Sequence, residues 1–262
     1  MSKYEKQVYK ELVAWQEEMQ LGPSLVGKAT KAVQVKINQM VPEKIHKIIT
    51  ETIKQMIKGV ITGADITTTW PQSWRKKPQY SSIEELENKV KGKIKFYRNA
   101  ATAEGAATGF GGFVWGLADF PLWLTIKMKM LFEIASNSGY DVRDYRERIY
   151  ILHIFQLTFS SQQHRNKIYK IIENWEIEKE QLPENFNEFD WRTFQLEYRD
   201  RIDLAKLLQL IPGIGAIVGA YVNHRFTNQL GQNAMNAYRM RYLGFESHES
   251  GHSSNKSMPK SS

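Results

Sequence analysis

A chain of 262 residues with 42% hydrophobic and 24% charged residues has the composition of a globular protein that can build a core, not of a disordered one. It contains no cysteine, which excludes a disulfide framework, thiolate metal sites and cysteine nucleophiles, and fits a reducing intracellular setting. A net charge of +8 and an isoelectric point near 9.4 select anionic partners: nucleic acid, an acidic protein or the anionic inner face of a membrane.

The first twenty residues are charged throughout and lack the apolar centre and cleavage site of a secretory signal, so secretion is not expected. Tyr4, Val8, Leu12, Trp15 and Met19 recur at three- and four-residue steps. This predicts an N-terminal amphipathic helix within residues 1–22, ended by Gly22 and Pro23. Val26, Ala29, Ala32, Val33 and Ile37 mark a second, shorter helix.

Pro42 opens a clearer helix over residues 42–61, with isoleucines on one face and Lys44, Lys47, Lys54 and Lys58 on the other. The ordinary reading is a core helix with a solvated lysine face. The alternative is a helix lying on an anionic membrane, where each lysine near the surface contributes about 1 kcal/mol. The segment from Gly63 to Ser82 has no helical period and reads as a loop. In it, Trp70, Trp74 and Arg75 stand beside Lys76 and Lys77; the ordinary reading is a tryptophan-anchored structural loop, and the alternative is a contact with lipid headgroups or a nucleic acid. No helix-turn-helix, zinc-finger or RNP spacing accompanies it, so nucleic acid is not expected as a partner.

Ser82 and Glu85 form a capping-box pattern that starts a helix over about 83–118. Its second half carries Gly105, Gly109, Gly112 and Gly116 on one stripe, where another backbone can approach closely. Each glycine costs about 1 kcal/mol relative to alanine in a helix interior, a cost that tight packing would offset. Asp119 and Pro121 mark a turn into a helix that is apolar nearly all round and closes at Gly139. Asp141 or Asp144 can cap the next helix, with Ile149, Ile151, Leu152, Ile154, Phe155 and Leu157, and Ser160 and Ser161 mark a break after it. Residues 176–189 are acidic, contain Pro183 and read as an exposed connection; Asp190 then caps a helix running to Leu207.

A second glycine-rich stretch holds Gly215 and Gly219, the natural partner of the first stripe, on a helix from Ile214 to Leu243 that stops at Gly244. Residues 245–262 have no apolar period and are expected to be a disordered tail. With no strand or hairpin pattern, the fold class is all-α: a single helical domain over 23–244 in which two glycine-striped helices pack closely. Gly105–Ala118 and Leu207–Asn223 are the most apolar stretches but fall short of a membrane span. They read first as core helices and second as interfacial segments.

A search for chemistry finds no HExxH, P-loop or GxSxG. His153 and His164 are too far apart on a helix to share a metal, and His248 and His252 lie in a tail that cannot preorganise ligands, so neither a metal nor a cofactor is expected. Asn223, His224 and Arg225 put polar groups directly after the apolar glycine helix. They line a pocket, meet lipid phosphates or simply surface into water; Arg239 and Arg241 allow the same choices. An enzyme reading would need Glu104, Asp119, Asn223 and Arg225 to converge.

The ordered set of a glycine-rich helix, an Asp-x-Pro turn, a Gly-Tyr-Asp helix end at 139–141 and a Pro-x-x-Gly-x-x-x-Gly-Ala stretch at 212–220 resembles the EcsC family of bacterial proteins. The family takes its name from a gene neighbouring an ABC transporter. The resemblance carries no catalytic residues. It implies a non-enzymatic, cytoplasmic, membrane-associated accessory role linked to an ABC transporter system, with an anionic membrane surface or a transporter component as partner. The alternative is a hydrolase or lipid-modifying enzyme with a polar pocket near the glycine helices.

Overall fold

The computed structural model of the chain describes residues 1–21, 43–63, 78–108, 120–184, 186–190, 192–194, 198 and 216–244, and its regular elements there are all helical. Helix α1 (Lys3–Gln20) begins in a complete capping box. The Glu5 amide donates to Ser2 Oγ at 3.1 Å and the Ser2 amide to the Glu5 carboxylate at 2.8 Å. Its buried face, Val8, Leu12, Trp15 and Met19, is the one the spacing predicts. Each such side chain, fully buried, contributes about 1.5–3 kcal/mol. Helix α2 (Glu43–Thr62) buries Ile49, Ile53, Ile57, Val60 and Ile61 in the same core.

Helix α3 (Ile83–Thr108) differs from expectation at its start. Ser82 Oγ accepts from the Glu85 amide at 3.2 Å, but the Glu85 carboxylate turns to the amide and hydroxyl of Ser81, at 2.9 and 2.6 Å, not back to Ser82. Helix α4 (Phe120–Asn137) is buried nearly all round. It ends in a Schellman motif: the Tyr140 amide donates to the Ala135 carbonyl and the Gly139 amide to the Ser136 carbonyl, with Gly139 at φ 91°. Asp144, not Asp141, caps helix α5 (Tyr145–Phe159), its side chain accepting from the Arg146 amide.

Helix α5 lies at the middle of the molecule and buries almost every residue it has. Arg148 reaches the Ile61 carbonyl at the end of α2, Tyr150 donates to the Ala237 carbonyl, and Phe159 packs edge-on to Trp123 and stacks with Phe226. The break at Ser160–Ser161 is present, and helix α6 (Gln162–Glu173) follows it. The acidic connection is more structured than its composition indicates. It holds a helical turn, α7 (Trp175–Glu178), and 3-10 turns at Lys179–Gln181 and Phe186–Glu188. Buried Trp175 anchors it, and Tyr145 and Arg146 donate to the Pro183 and Leu182 carbonyls.

The last helix, α8 (Ala216–Leu243), stops at Gly244 with φ 71°. It runs antiparallel to α3: Arg239 meets Glu87, Gly231 meets Ile94, Asn228 meets Arg98 and Asn223 meets Ala101. Gly105 lies near the end of α3 and Gly219 near the start of α8, at the same end of this pair. A close approach between the two helices is described at Gly231. A Cβ on Gly231 would lie 2.7 Å from the Ile94 side chain, so glycine is needed there. Gly109, Gly112, Gly116, Gly215, the helix at 26–37, the loop holding Trp70, Trp74 and Arg75, and the tail at 245–262 lie outside the described residues.

Candidate functional site

Three helix termini meet at one end of the bundle, and Asn223 joins them. Its amide oxygen accepts from Trp123 Nε1 at 2.7 Å and Lys127 Nζ at 2.9 Å, both on α4, and its amide nitrogen donates to the Ala101 carbonyl of α3 at 2.8 Å. The Lys127 ammonium is fully buried and lies 4.7 Å from the centre of the Trp123 ring. One turn further along α8, Thr227 donates to the Asn223 carbonyl. The C-terminus of α3, the N-terminus of α4 and the N-terminus of α8 therefore lie together. The glycine-rich segment 109–119 attaches to the chain there at both of its ends, and the segment 199–215 at its C-terminal end. Leu122, in the first turn of α4, and Tyr221, in the second turn of α8, are 53% and 65% exposed.

The four residues of the enzyme reading do not share a described pocket. Asn223 is buried and fully engaged, whereas Arg225, about 200° further round the helix, is exposed. Asp119 and the Glu104 side chain lie outside the described residues. On α2, Lys47 and Lys58 are exposed; Lys47 pairs with Glu43 at 2.9 Å and Lys54 with Glu51 at 3.4 Å. Such surface pairs contribute about 0–1 kcal/mol. The apolar face of α2 is core, so this helix offers a surface its charge but no apolar face. The Lys44 side chain is outside the described residues.

Arg239 and Arg241 neither surface nor line an open pocket. Arg239 makes two parallel bonds to Glu87, at 2.7 and 2.6 Å, and a third donor reaches Glu11 and Asn236. Tyr4 and Tyr242 also donate to Glu87. Burial pushes the Glu87 carboxyl up, but the Arg239 guanidinium and the two hydroxyls more than offset this and hold it below the usual carboxylate value. Arg241 binds Glu147 at 2.8 Å and Glu176 at 3.1 Å, and its guanidinium lies 3.8 Å from the Tyr140 ring centre. Burial pushes the Tyr140 hydroxyl up to about 12. Glu87, Lys127 and Glu147 escape sequence reasoning because a charged residue on a helix reads as solvated. The available signal is phase: Asn223, Thr227, Leu230, Ala234 and Ala237 form one buried stripe, at steps of four and three.

Among the described residues no helix is long and apolar enough to cross a membrane, and no group of three His, Asp or Glu could hold a metal. The model of the EcsC protein family matches residues 6–243. Protein EcsC of Bacillus subtilis (strain 168) is 42% identical over 233 residues, covering 89% of this chain and 94% of that protein. The uncharacterized protein YdbA of the same organism is 28% identical over 221 residues, covering 79% and 81%. No solved structure matches. A family model spanning nearly the whole helical bundle, with a relative this similar along nearly its full length, establishes that the chain belongs to the EcsC protein family.

Proposed function

We propose that this chain is a non-enzymatic accessory protein that sits on the inner, anionic face of a membrane, using the bundle end where α3, α4 and α8 meet. The observation that carries this is the convergence there of exposed Leu122 and Tyr221 with the attachment points of the two most apolar stretches of the chain. The adjoining sequences, GFGGFVWGLAD at 109–119 and LLQLIPGIG at 207–215, contain one acidic residue between them. Shallow apolar contact, with attraction between the +8 chain and anionic lipid, is the holding force. The exposed Lys47 and Lys58 of α2 add charge, while Ile49, Ile53, Ile57 and Ile61 of that helix are occupied in the core. The family resemblance adds an ABC transporter component as the membrane partner.

Flotation with anionic and neutral liposomes across a salt series tests this reading. The expected result is co-flotation with anionic liposomes that weakens as salt shortens the Debye length, and a marked loss in Leu122→Asp/Tyr221→Asp. Protein that stays in the soluble fraction with anionic liposomes at low salt would refute it. The transporter link is tested separately, by recovery of a transporter component after crosslinking in native membranes.

A further inference from the structure

A cavity of about 200 Å³ lies between α5, α6, α7 and the helical residues around Phe194 and Tyr198, away from the bundle end described above. It is large enough for a ligand of a few to about ten heavy atoms, since cavities of about 150 Å³ accept benzene. Aromatic rings form much of its wall. His153 is edge-on to Trp175 and Phe194, with ring centres 6.1 and 5.6 Å away, and Phe194 lies 5.7 Å from Tyr198. Trp175 and Tyr198 are buried and held by the fold.

Gln156, Tyr198 and His153, three polar residues of the wall, bond within the protein. Gln156 Nε2 donates to the Tyr198 carbonyl at 3.1 Å, the Tyr198 hydroxyl donates to the Leu152 carbonyl at 2.9 Å, and Gln156 Oε1 lies 3.3 Å from His153 Nδ1. The charged side chain on this lining is the half-buried Glu178, and the lining includes no lysine or arginine among the described residues. Aromatic faces and a carboxylate both favour positive charge. An anion would meet Glu178, and a bare metal ion would find too few oxygen donors to replace its water.

We infer that this cavity binds a small organic cation, an alkylammonium or quaternary ammonium group, against the aromatic wall with Glu178 as its counter-charge. Calorimetric titration of the full chain with benzyltrimethylammonium and with choline, beside the neutral isostere 3,3-dimethylbutan-1-ol, tests the inference. The cations are expected to bind in the millimolar range or tighter, and the neutral isostere at least about fivefold more weakly. Glu178→Gln and Phe194→Ala should each weaken benzyltrimethylammonium by about fivefold or more. Glu178 is partly exposed, so its variant stays folded and keeps the test readable should Phe194→Ala unfold. A dissolved solute and a lipid headgroup share this chemistry. Binding of free choline points to a solute, whereas a response confined to phosphatidylcholine vesicles and lost in Glu178→Gln points to a headgroup. Absence of binding in both arms, equal binding of the neutral isostere, or undiminished binding by Glu178→Gln would overturn the inference.

Discussion

Arg239 and Glu87 meet across the α3–α8 pair in two parallel hydrogen bonds, with both side chains sealed from solvent. Removing one partner strands a buried charge, whereas removing both need not. Glu87→Ala or Arg239→Ala is expected to destabilise the protein by about 3–5 kcal/mol, and Glu87→Leu/Arg239→Met to recover most of that loss. Urea unfolding midpoints of the three variants decide the matter, and a double variant no better than the worse single one would contradict this account.

The same carboxylate sets an acid dependence. Because the folded pKa of Glu87 lies below its unfolded value, its stabilising contribution is complete above the ordinary carboxylate range. It is lost as pH falls from about 4.3 through the lowered folded value. Glu87→Gln should therefore be less stable than the parent at neutral pH, and the gap should narrow as the solution is acidified into that window. Parallel stability curves from pH 7 to the acid limit would show that another group controls the response.

Two glycines on facing helices should respond in opposite directions. Gly231→Ala drives a methyl group to within 2.7–2.8 Å of Cγ2 and Cγ1 of the buried Ile94 and is expected to cost about 1–3 kcal/mol, partly restored by Ile94→Ala, which removes both carbons. Gly92→Ala, on the exposed side of α3, meets nothing within 4 Å and should stabilise the protein by about 0.5–1 kcal/mol. Thermal melts of the three variants provide the comparison.

Asn223 and Arg225 separate core from surface within one helical turn. Asn223→Ala removes the acceptor of Trp123 Nε1 and the donor of the Ala101 carbonyl, at a cost of about 1–3 kcal/mol or more. Arg225→Ala should stay within about 0.5 kcal/mol of the parent. Equal effects of the two substitutions in denaturant titrations would argue against the geometry at this end of the bundle.

Local features are legible in the sequence. The buried face of α1, the isoleucine face of α2, the break at Ser160–Ser161 and the stops at Gly139 and Gly244 each follow from residues a few positions apart. The charged interior did not show, because Glu87 and Arg239 are 152 residues apart and each alone resembles an ordinary helix surface residue. Gly231 is hidden in the sequence for a related reason. It belongs to no glycine stripe, and only the register of α3 against α8 reveals the Ile94 side chain facing it. At the bundle end, Asn223 stood out as a polar residue after an apolar run, but its partners on α3 and α4 were not legible.

The bond from Trp15 to Asn233 joins the first helix to the last across 218 residues of chain. On a ribosome, Val8, Leu12, Trp15 and Met19 emerge long before the helix that holds Asn233 has been made. At synthesis rates of about 5–20 residues per second, that apolar face waits on the order of ten to forty seconds for its final cover. Birth of the protein thus includes a period in which its leading helix needs a temporary shelter, and truncation at the far terminus would prolong that need indefinitely.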